Sequence, residues 1–237
     1  MIESIRSIGS GFLDLIFPQL CLVCGSIGED WLCRSCMDKI ESVPKPYCER
    51  CGHPLVRQKC GNCMDTRRGF TRARAAGEYS GVLREAIHRF KYNGHRILAA
   101  PLAGILWKYL QEECDFKWRS ADLIIPVPMH SVRQRLRGYN QSELLAAELS
   151  RLISVPVEKC AITRIMRRMR QVELSREDRR LNVKGAFKVR DSSKFAGKTV
   201  LLIDDVATTC STVNECALAL RDAGAFRVYV LCLAFGS

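Results

Sequence analysis

The sequence predicts an α/β domain with a parallel sheet, preceded by a small cysteine-rich module. Two observations lead to this fold class. Eight of the 13 cysteines lie between residues 21 and 63. From about residue 71 onward, short apolar runs alternate with amphipathic segments, as in βαβ units. We therefore place the N-terminal module at 1–70 and the α/β domain at 71–237.

The eight clustered cysteines form an internal duplication. Each copy has the spacing C-x2-C-x8-C-x2-C, and each cysteine of the first copy has a counterpart 27 residues later. Such turns indicate zinc, because two of them bring four thiolates into a tetrahedral shell. A disulfide framework fits less well, since no secretion signal precedes it. The predicted zinc ligands are Cys21, Cys24, Cys33, Cys36, Cys48, Cys51, Cys60 and Cys63.

The spacing leaves open how the four Cys-x-x-Cys turns pair. Sequential pairing gives one zinc per copy, whereas crossed pairing joins equivalent turns of the two copies. Either arrangement fills every coordination position with cysteine, which indicates two structural zinc sites and no catalytic one. The connecting chain is poor in apolar residues, so we expect the metal to supply the stability of this module.

Upstream of the cysteines, apolar residues recur on one helical face, at Ile5, Ile8, Phe12, Leu15 and Ile16. This amphipathic segment either docks on its own protein or contacts a membrane or a partner. Acidic residues and the lack of a small-residue cleavage site argue against a secretory signal. No apolar run reaches the ~18 residues of a membrane span, so we expect a cytoplasmic protein without a transmembrane segment.

The first half of the α/β domain begins with a short predicted strand at Ala73–Tyr79. Helices are predicted at Gly81–Phe90 and Ile97–Glu113. A continuous apolar run at Asp122–Val127 (DLIIPV) is typical of a strand buried on both faces. The next helix, Gln141–Ile153, carries four leucines on one side.

The second half contains a short predicted strand at Ala186–Val189 and the clearest buried strand at Thr199–Asp205 (TVLLIDD). A helix at Thr212–Asp222 and a final strand at Arg227–Ala234 complete the domain. Ligands in sheets of this kind bind beyond the carboxyl ends of the strands. We therefore look for a site directly after TVLLI and DLIIPV.

After TVLLI, two acidic residues and a run of small hydroxyl residues lead into a helix. Such a run presents backbone N–H groups, hydroxyls and a helix N-terminus to one point, which favours phosphate binding. The adjacent carboxylates of Asp204 and Asp205 can accept hydrogen bonds from vicinal hydroxyls or hold a metal-bound ligand. The simpler alternative is an ordinary Ser/Thr helix cap beside surface acids.

The run VLLIDDVATTCST resembles the signature with which type I phosphoribosyltransferases bind phosphoribosyl pyrophosphate (PRPP). The resemblance implies a type I phosphoribosyltransferase-like domain that binds PRPP together with Mg²⁺. It implies that Asp204 and Asp205 contact the ribose hydroxyls. The implied 5′-phosphate loop consists of Thr208, Thr209, Cys210, Ser211 and Thr212.

Cys210 departs from that pattern, because the family usually has glycine at this position. Glycine tolerates a positive φ and lets a ligand approach closely. We expect cysteine to fit only with a negative φ and with its side chain clear of the phosphate. A second interpretation is a reactive thiol, since a helix N-terminus lowers the pKa of a thiol.

The positive charge is concentrated in one region. The formal net charge of +12 implies polyanionic partners. Residues 130–190 carry 15 basic and 6 acidic side chains, against 9 and 8 in residues 1–70. A face of solvated charges is the alternative to a binding site.

Two segments hold this charge. The first follows DLIIPV, where arginines can bind a diphosphate in bidentate fashion and Tyr139 offers a stacking face. The second, Arg164–Phe187, suits a mobile loop that closes over an anionic ligand, although a solvated helix face also fits. The predicted diphosphate or nucleic-acid contacts are Arg135, Arg137, Tyr139, Asn140, Gln141, Arg176, Arg179 and Arg180.

Together, the paired Cys-x-x-Cys turns, IPVPMHSVRQRLRGYNQSELLA, RQVELSREDRRLNVKGAF and VLLIDDVATTCST resemble the ordered motifs of the ComF family, which includes GntX-type proteins. The resemblance spans nearly the full length. It implies a zinc-binding module on a phosphoribosyltransferase-like domain, and a role in DNA uptake or in the use of DNA as a nutrient, with DNA-uptake proteins as partners. It also implies a transferase that displaces diphosphate from PRPP, whose acceptor the sequence does not identify.

Two alternatives belong to other functional classes. The same fold can serve as a non-catalytic module that binds single-stranded DNA through the basic region, Tyr139 and the zinc ribbons, with PRPP as a regulator or absent. A zinc-dependent interaction scaffold would bind neither ligand and would capture a partner through residues 1–70.

Overall fold

The computed structural model describes residues 18–55, 59–63, 67–113, 118–165 and 185–236. The predicted N-terminal helix lies outside these residues, as do Arg176, Arg179 and Arg180. The strands are β1 (Arg72–Glu78), β2 (Leu123–Pro126), β3 (Ile162–Arg164), β4 (Phe187–Val189), β5 (Thr199–Ala207) and β6 (Arg227–Phe235). Four of them form a parallel sheet in the order β1-β6-β5-β2, and β3 and β4 form a separate antiparallel pair.

Along the chain, most of the described helices follow one strand and precede the next. They are α1 (Arg34–Met37), α2 (Gly81–Tyr92), α3 (Ala99–Glu112), α4 (Ser131–Arg137), α5 (Gln141–Ile153) and α6 (Ser211–Asp222). Within the described ranges, none of these helices is long and apolar enough to cross a bilayer.

Helices cover both faces of the sheet and create two cores. Side chains alternate along β5, so that Leu201 and Ile203 face one core while Val200 and Leu202 face the other. The first core is filled from α2, α3 and α5, and the second from α6 and the β3–β4 pair. All four of these β5 side chains are fully buried, which explains why the strand sequence is continuously apolar.

The predicted α/β fold with a parallel sheet is confirmed. Helix α5 begins and ends at the predicted residues, because Asn140 caps its first turn and a leucine stripe packs on the sheet. Strand β5 runs two residues further than expected, to Ala207. Helix α4 and strand β3 were not predicted.

The cysteine-rich module, which we call the ribbon, packs on strand β1 and on both cores. The amide of Ala73 donates to the carbonyl of Arg50 (2.7 Å), and the amide of Glu78 donates to that of Glu41 (2.8 Å). Cys21, Leu32 and Cys36 of the first repeat are part of the first core. Cys51 of the second repeat belongs to the second core. The two repeats therefore lie against opposite faces of one sheet.

Candidate functional site

The acid pair, Asp204 and Asp205, lies near the carboxyl end of the central strand β5. Each carboxylate has its own partner. The Nζ of Lys91 on α2 lies 2.7 Å from Oδ1 of Asp205, and both side chains are largely buried. The hydroxyl of Ser142 on α5 donates to Oδ1 of Asp204 over 3.0 Å. Three elements thus meet at the end of the strand where a ligand of this fold class binds.

Burial, together with the neighbouring carboxylate of Asp205, raises the pKa of Asp204 to about 7. The charge of Lys91 and the hydrogen bond from Ser142 act in the opposite direction. Near neutral pH, Asp204 is therefore divided between a carboxylate and a carboxylic acid. It can accept a hydrogen bond from a hydroxyl in one form and donate one in the other.

The start of α5 fixes the position of Ser142. The side chain of Asn140 accepts a hydrogen bond from the amide of Ser142 (3.1 Å), which caps the helix. Its Nδ2 donates to the carbonyl of Val127, directly after β2 (3.1 Å). The strand end and the helix start are thereby tied together, and Ser142 is held beside β5.

The 208–212 loop connects β5 to α6 and carries the predicted phosphate-binding residues. The hydroxyls of Thr209 and Ser211 are hydrogen-bonded over 2.7 Å. Thr208 is exposed, and Thr209, Ser211 and Thr212 are half-buried. Since α6 begins at Ser211, its free amide groups and dipole lie at the same place as the hydroxyls. This arrangement can bind a phosphate group.

The backbone of Cys210 is in the left-handed conformation, contrary to the expectation from the sequence. Its φ is +57°, in the region that favours glycine, so the expectation of a negative φ is wrong. The side chain is turned inward and is only 3% exposed, and its Sγ lies 3.9 Å from the carbonyl oxygen of Cys51. Burial raises the pKa of the thiol to about 12, which contradicts the interpretation as a reactive thiolate.

The predicted basic contacts divide into exposed and structural residues. Arg135 is exposed on α4. Arg137, at the end of α4, donates to Oε1 of Gln141 (2.6 Å) and lies 4.9 Å above the ring of Tyr92. Asn140 and Gln141 are buried at the start of α5.

Tyr139 does not present the predicted stacking face. The residue is 7% exposed, and its hydroxyl donates to the carbonyl of Phe90. The guanidinium of Arg96 lies 4.6 Å from the ring centroid. Its role in the structure is therefore to join α2 to the segment before α5.

The eight clustered cysteines form two groups, and the pairing is sequential. The first cluster contains Cys21, Cys24, Cys33 and Cys36, and the second contains Cys48, Cys51, Cys60 and Cys63. Within each cluster all four sulfur atoms lie within 4.8 Å of one another. The crossed alternative is excluded.

The sulfur positions fit zinc. A Zn–S bond of about 2.3 Å in a tetrahedron requires sulfur atoms about 3.8 Å apart. In the first cluster the distances from Cys21 to Cys36 and from Cys24 to Cys33 are 3.8 and 3.7 Å. The equivalent distances in the second cluster are 3.9 and 3.4 Å.

The duplication extends to the backbone of the first turn in each repeat. Gly25 and Gly52 have φ values of +75° and +72°. Their amides donate to the carbonyls of Cys21 and Cys48 over 2.9 and 2.8 Å. The two turns differ in their surroundings, because a Cβ at Gly25 would meet nothing within 4 Å, whereas one at Gly52 would lie 2.8 Å from the carbonyl oxygen of Ala73.

A cavity of about 340 Å³ lies away from the acid pair, between the ribbon and α3. Arg74, Tyr47, Tyr109 and Glu113 are among the residues that line it. Both tyrosine hydroxyls donate to Oε2 of Glu113, over 3.2 and 3.1 Å. These contacts join the ribbon to the α/β domain.

Lys91 and Ser142 are the site residues that sequence reasoning missed. Neither lies in a segment that marks it as a partner of the acids, because both contacts form across long separations in the chain. The sequence offers a signal only for Ser142, which is the second residue of the helix predicted at Gln141–Ile153.

Known proteins match both the cysteine-rich segment and most of the chain. A family model described as a double zinc ribbon domain matches residues 12–65. Competence protein F of Haemophilus influenzae is 35% identical over 212 residues, covering 88% of this chain and 92% of that protein. DNA utilization protein YhgH of Escherichia coli O157:H7 is 32% identical over 225 residues, covering 92% and 98%. Competence protein ComFC of Bacillus subtilis (strain 168) is 25% identical over 204 residues, covering 83% and 80%.

Solved structures show a more distant likeness. The glutamine phosphoribosylpyrophosphate (PRPP) amidotransferase from B. subtilis, complexed with ADP and GMP, is 21% identical with a TM-score of 0.39. The match covers 57% of this chain and 26% of that one.

Proposed function

This chain belongs to the ComF/YhgH family of competence and DNA utilization proteins, and on that basis we propose that its α/β domain binds PRPP at the end of β5. The observation that carries the proposal is the position of the acid pair beside the 208–212 loop. A carboxylate pair suits two vicinal ribose hydroxyls, and the loop with the N-terminus of α6 suits a terminal phosphate. Phosphoribosyl ligands combine these two groups.

The acid pair is built to interact with hydroxyl groups. Asp204 exchanges between an acceptor and a donor near neutral pH, as its raised pKa implies. Asp205 is held by Lys91, and Asp204 is oriented by Ser142. We propose that ribose hydroxyls bind these two carboxylates, and that the ligand competes with Lys91 for Asp205.

The reaction that fits this site is displacement of diphosphate from PRPP. A nucleophile forms a bond to the anomeric carbon, and the bond from that carbon to the diphosphate oxygen breaks, so that the diphosphate leaves with the electron pair. Arg135 and Arg137 supply positive charge near the start of α5, and we propose that they stabilise this leaving group together with Arg176, Arg179 and Arg180.

Carboxylate oxygens are the hard ligands that Mg²⁺ prefers, so Asp204 and Asp205 are the residues that would hold it. When bound with PRPP, the metal supplies charge neutralisation of the diphosphate. The protein residues themselves orient the ribose and bind the 5′-phosphate.

Calorimetric titration of Mg²⁺-PRPP into the zinc-replete protein tests the proposal. We expect saturable binding that weakens more than about tenfold in Asp204→Asn/Asp205→Asn, because two hydrogen bonds to charged groups are lost. Asp222→Asn, at the exposed end of α6, is the matched control and should bind like the wild type. Absence of binding by the wild type would refute the proposal.

A second candidate function, binding of single-stranded DNA, is supported by a surface beside the same site. Tyr92 is 66% exposed and Leu136 is 85% exposed, although both are large and apolar. They lie among Arg135 and Arg137 on and next to α4, a helix with no buried residue. The exposed ring of Tyr92 beside these arginines provides the stacking and charge that single strands bind, and Leu136 adds apolar surface. The YhgH relatives are named DNA utilization proteins.

Fluorescence anisotropy with a labelled single-stranded oligonucleotide tests this second function. We expect affinity to fall steeply with salt, and Tyr92→Ala to weaken binding by about 5- to 100-fold. Phe226→Ala is the control, because Phe226 is also exposed and has Arg227 4.8 Å above its ring, but at the start of β6. Equal losses in the two variants would contradict a specific surface.

A further inference from the structure

We propose that the second cysteine cluster holds the 208–212 loop in place, so that metal at this cluster and a phosphate ligand at the loop bind cooperatively. Cys210 and Asn214 are the positioning residues of this coupling. The inference rests on the proposed function for the identity of the ligand, and it adds a regulation of that site.

The first contact is between Cys210 and the Cys-x-x-Cys turn that contains Cys51. The Sγ of Cys210 lies 3.9 Å from the carbonyl oxygen of Cys51, which is itself fully buried and a member of the second cluster. Cysteine is strained in the left-handed conformation, where glycine is preferred. The side chain is turned inward, where it packs beside Cys51.

The second contact is made by Asn214 in the first turn of α6. Its side chain is 3% exposed and makes two hydrogen bonds to the backbone of the segment that follows Cys63. Its Oδ1 accepts from the amide of Gly69 (3.0 Å), and its Nδ2 donates to the carbonyl of Arg67 (3.2 Å). The second cluster is therefore attached to the start of α6 at two points: through its own member Cys51, which contacts Cys210, and through the 67–69 segment that follows it.

The first cluster lies elsewhere. Cys21 and Cys36 pack in the core formed by α2, α3 and α5, on the opposite face of the sheet. Cys51, Cys210 and Val213 share the other core. The duplication thus supplies two equivalent metal sites, only one of which shares a core with the loop.

These contacts predict reciprocal effects. With metal bound at the second cluster, Cys51 and the 67–69 segment would be held in place, and through Cys210 and Asn214 they would hold the backbone of the loop that we propose binds a phosphate. By thermodynamic linkage, a ligand that requires the ordered loop must in turn strengthen metal binding at the second cluster by the same factor.

A pair of equivalent substitutions in the two repeats tests the coupling. Cys60→Ser removes a ligand of the second cluster, and Cys33→Ser removes its counterpart in the first. Amide hydrogen exchange of 207–214 and calorimetric affinity for Mg²⁺-PRPP are measured in both full-length proteins. We expect Cys60→Ser to speed exchange and to weaken binding more than about tenfold, while Cys33→Ser changes each less than about twofold.

Zinc release provides an independent measurement if Cys60→Ser does not fold. In the Cys33→Ser background, the second cluster alone is intact, and transfer of its zinc to a chromogenic chelator is timed with and without Mg²⁺-PRPP. We expect PRPP to slow release several-fold. Asn214→Ala should abolish this effect, whereas Asp222→Ala, at the exposed end of the same helix, should preserve it.

The outcomes separate this inference from the proposed function. Equal changes in Cys33→Ser and Cys60→Ser, or a zinc release rate that bound PRPP does not alter, would overturn the coupling. A wild-type protein that does not bind Mg²⁺-PRPP would refute the proposed function. In that case the exchange of 207–214 in the two cysteine variants still decides whether the second cluster positions the loop.

Discussion

The ammonium group of Lys91 lies 2.7 Å from the carboxylate of Asp205, joining the end of α2 to the end of β5. Both side chains are largely removed from solvent. Lys91 compensates the negative charge of Asp205, whereas Asp204 accepts a hydrogen bond from the hydroxyl of Ser142. The Lys91–Asp205 pair predicts a measurable coupling, and the burial of Asp204 predicts a dependence of stability on pH.

A double-mutant cycle measures the coupling between Lys91 and Asp205. Lys91→Met or Asp205→Asn alone should each lower the free energy of unfolding by about 2–4 kcal/mol, because each leaves an uncompensated charge in a largely buried position. The double variant should lose less than the sum, with a coupling of about 1–3 kcal/mol. Urea denaturation provides the values.

The exposed pair Lys108 and Glu112 on α3 is the matched control for this cycle. Their charged atoms are 3.9 Å apart, and both side chains are about two-thirds exposed. Their coupling should stay below about 0.5 kcal/mol. A coupling of equal size in both pairs would contradict a special role for Lys91.

The raised pKa of Asp204 predicts how stability changes with pH. Its native pKa of about 7 lies above its ordinary value of 3.8, so the native state holds this proton more tightly than the unfolded chain. The stabilisation is complete below about pH 4 and is lost as the pH rises through 7. Asp204→Asn carries a permanently neutral side chain, so its stability relative to the wild type should increase with pH.

Urea unfolding at pH 5 and pH 8 tests this dependence. The difference between Asp204→Asn and the wild type should shift by at least about 1 kcal/mol in favour of the variant at pH 8. Asp222→Asn, with its exposed side chain, should show a difference that does not change with pH. A constant difference for Asp204→Asn would mean that this carboxyl is not perturbed by burial.

The two duplicated glycines predict unequal costs for the same substitution. Gly25→Ala and Gly52→Ala both force alanine into a positive φ, at a cost of about 1 kcal/mol. Gly52→Ala also drives a Cβ to within 2.8 Å of the carbonyl oxygen of Ala73, so its total cost should reach about 3 kcal/mol. Thermal unfolding of the zinc-replete proteins distinguishes the two. Equal shifts would contradict the packing of the second repeat on β1.

Metal removal tests the two clusters together. We expect two zinc ions per chain and protection of the eight clustered thiols from modification while the metal is bound. Because the repeats are part of both cores, chelation should lower the Tm of the whole chain by more than about 10 °C in one transition. A separate early transition, with the Tm of the rest unchanged, would show that the ribbon folds independently.

Elements whose local sequence pattern reflects their burial could be predicted from the sequence. Strand β5 is continuously apolar because it is covered on both faces, and α5 is bounded by a cap and a leucine stripe. Helix α4 was missed for a related reason, since a helix with no buried residue has no apolar periodicity to detect. Strand β3 is only three residues long and lacks such a pattern as well.

The candidate site was predictable only in part. Motif resemblance selected the acid pair and the 208–212 loop, whose roles in binding stay predictions. The partner of Asp205 could not be read from sequence, because Lys91 is brought to it by the packing of α2 on the sheet. The conformation of Cys210 was predicted wrongly, because it depends on a contact with Cys51 in another module.

The hydrogen bonds from Ala73 and Glu78 to the ribbon have a consequence for fragments of this protein. An outer strand with free donors and acceptors recruits strands from other molecules and promotes aggregation. A fragment that begins at residue 71 would lose the carbonyls of Arg50 and Glu41 that cover β1. Such a fragment should self-associate when expressed alone. In the full chain, the ribbon should therefore prevent β1 from pairing with strands of other molecules.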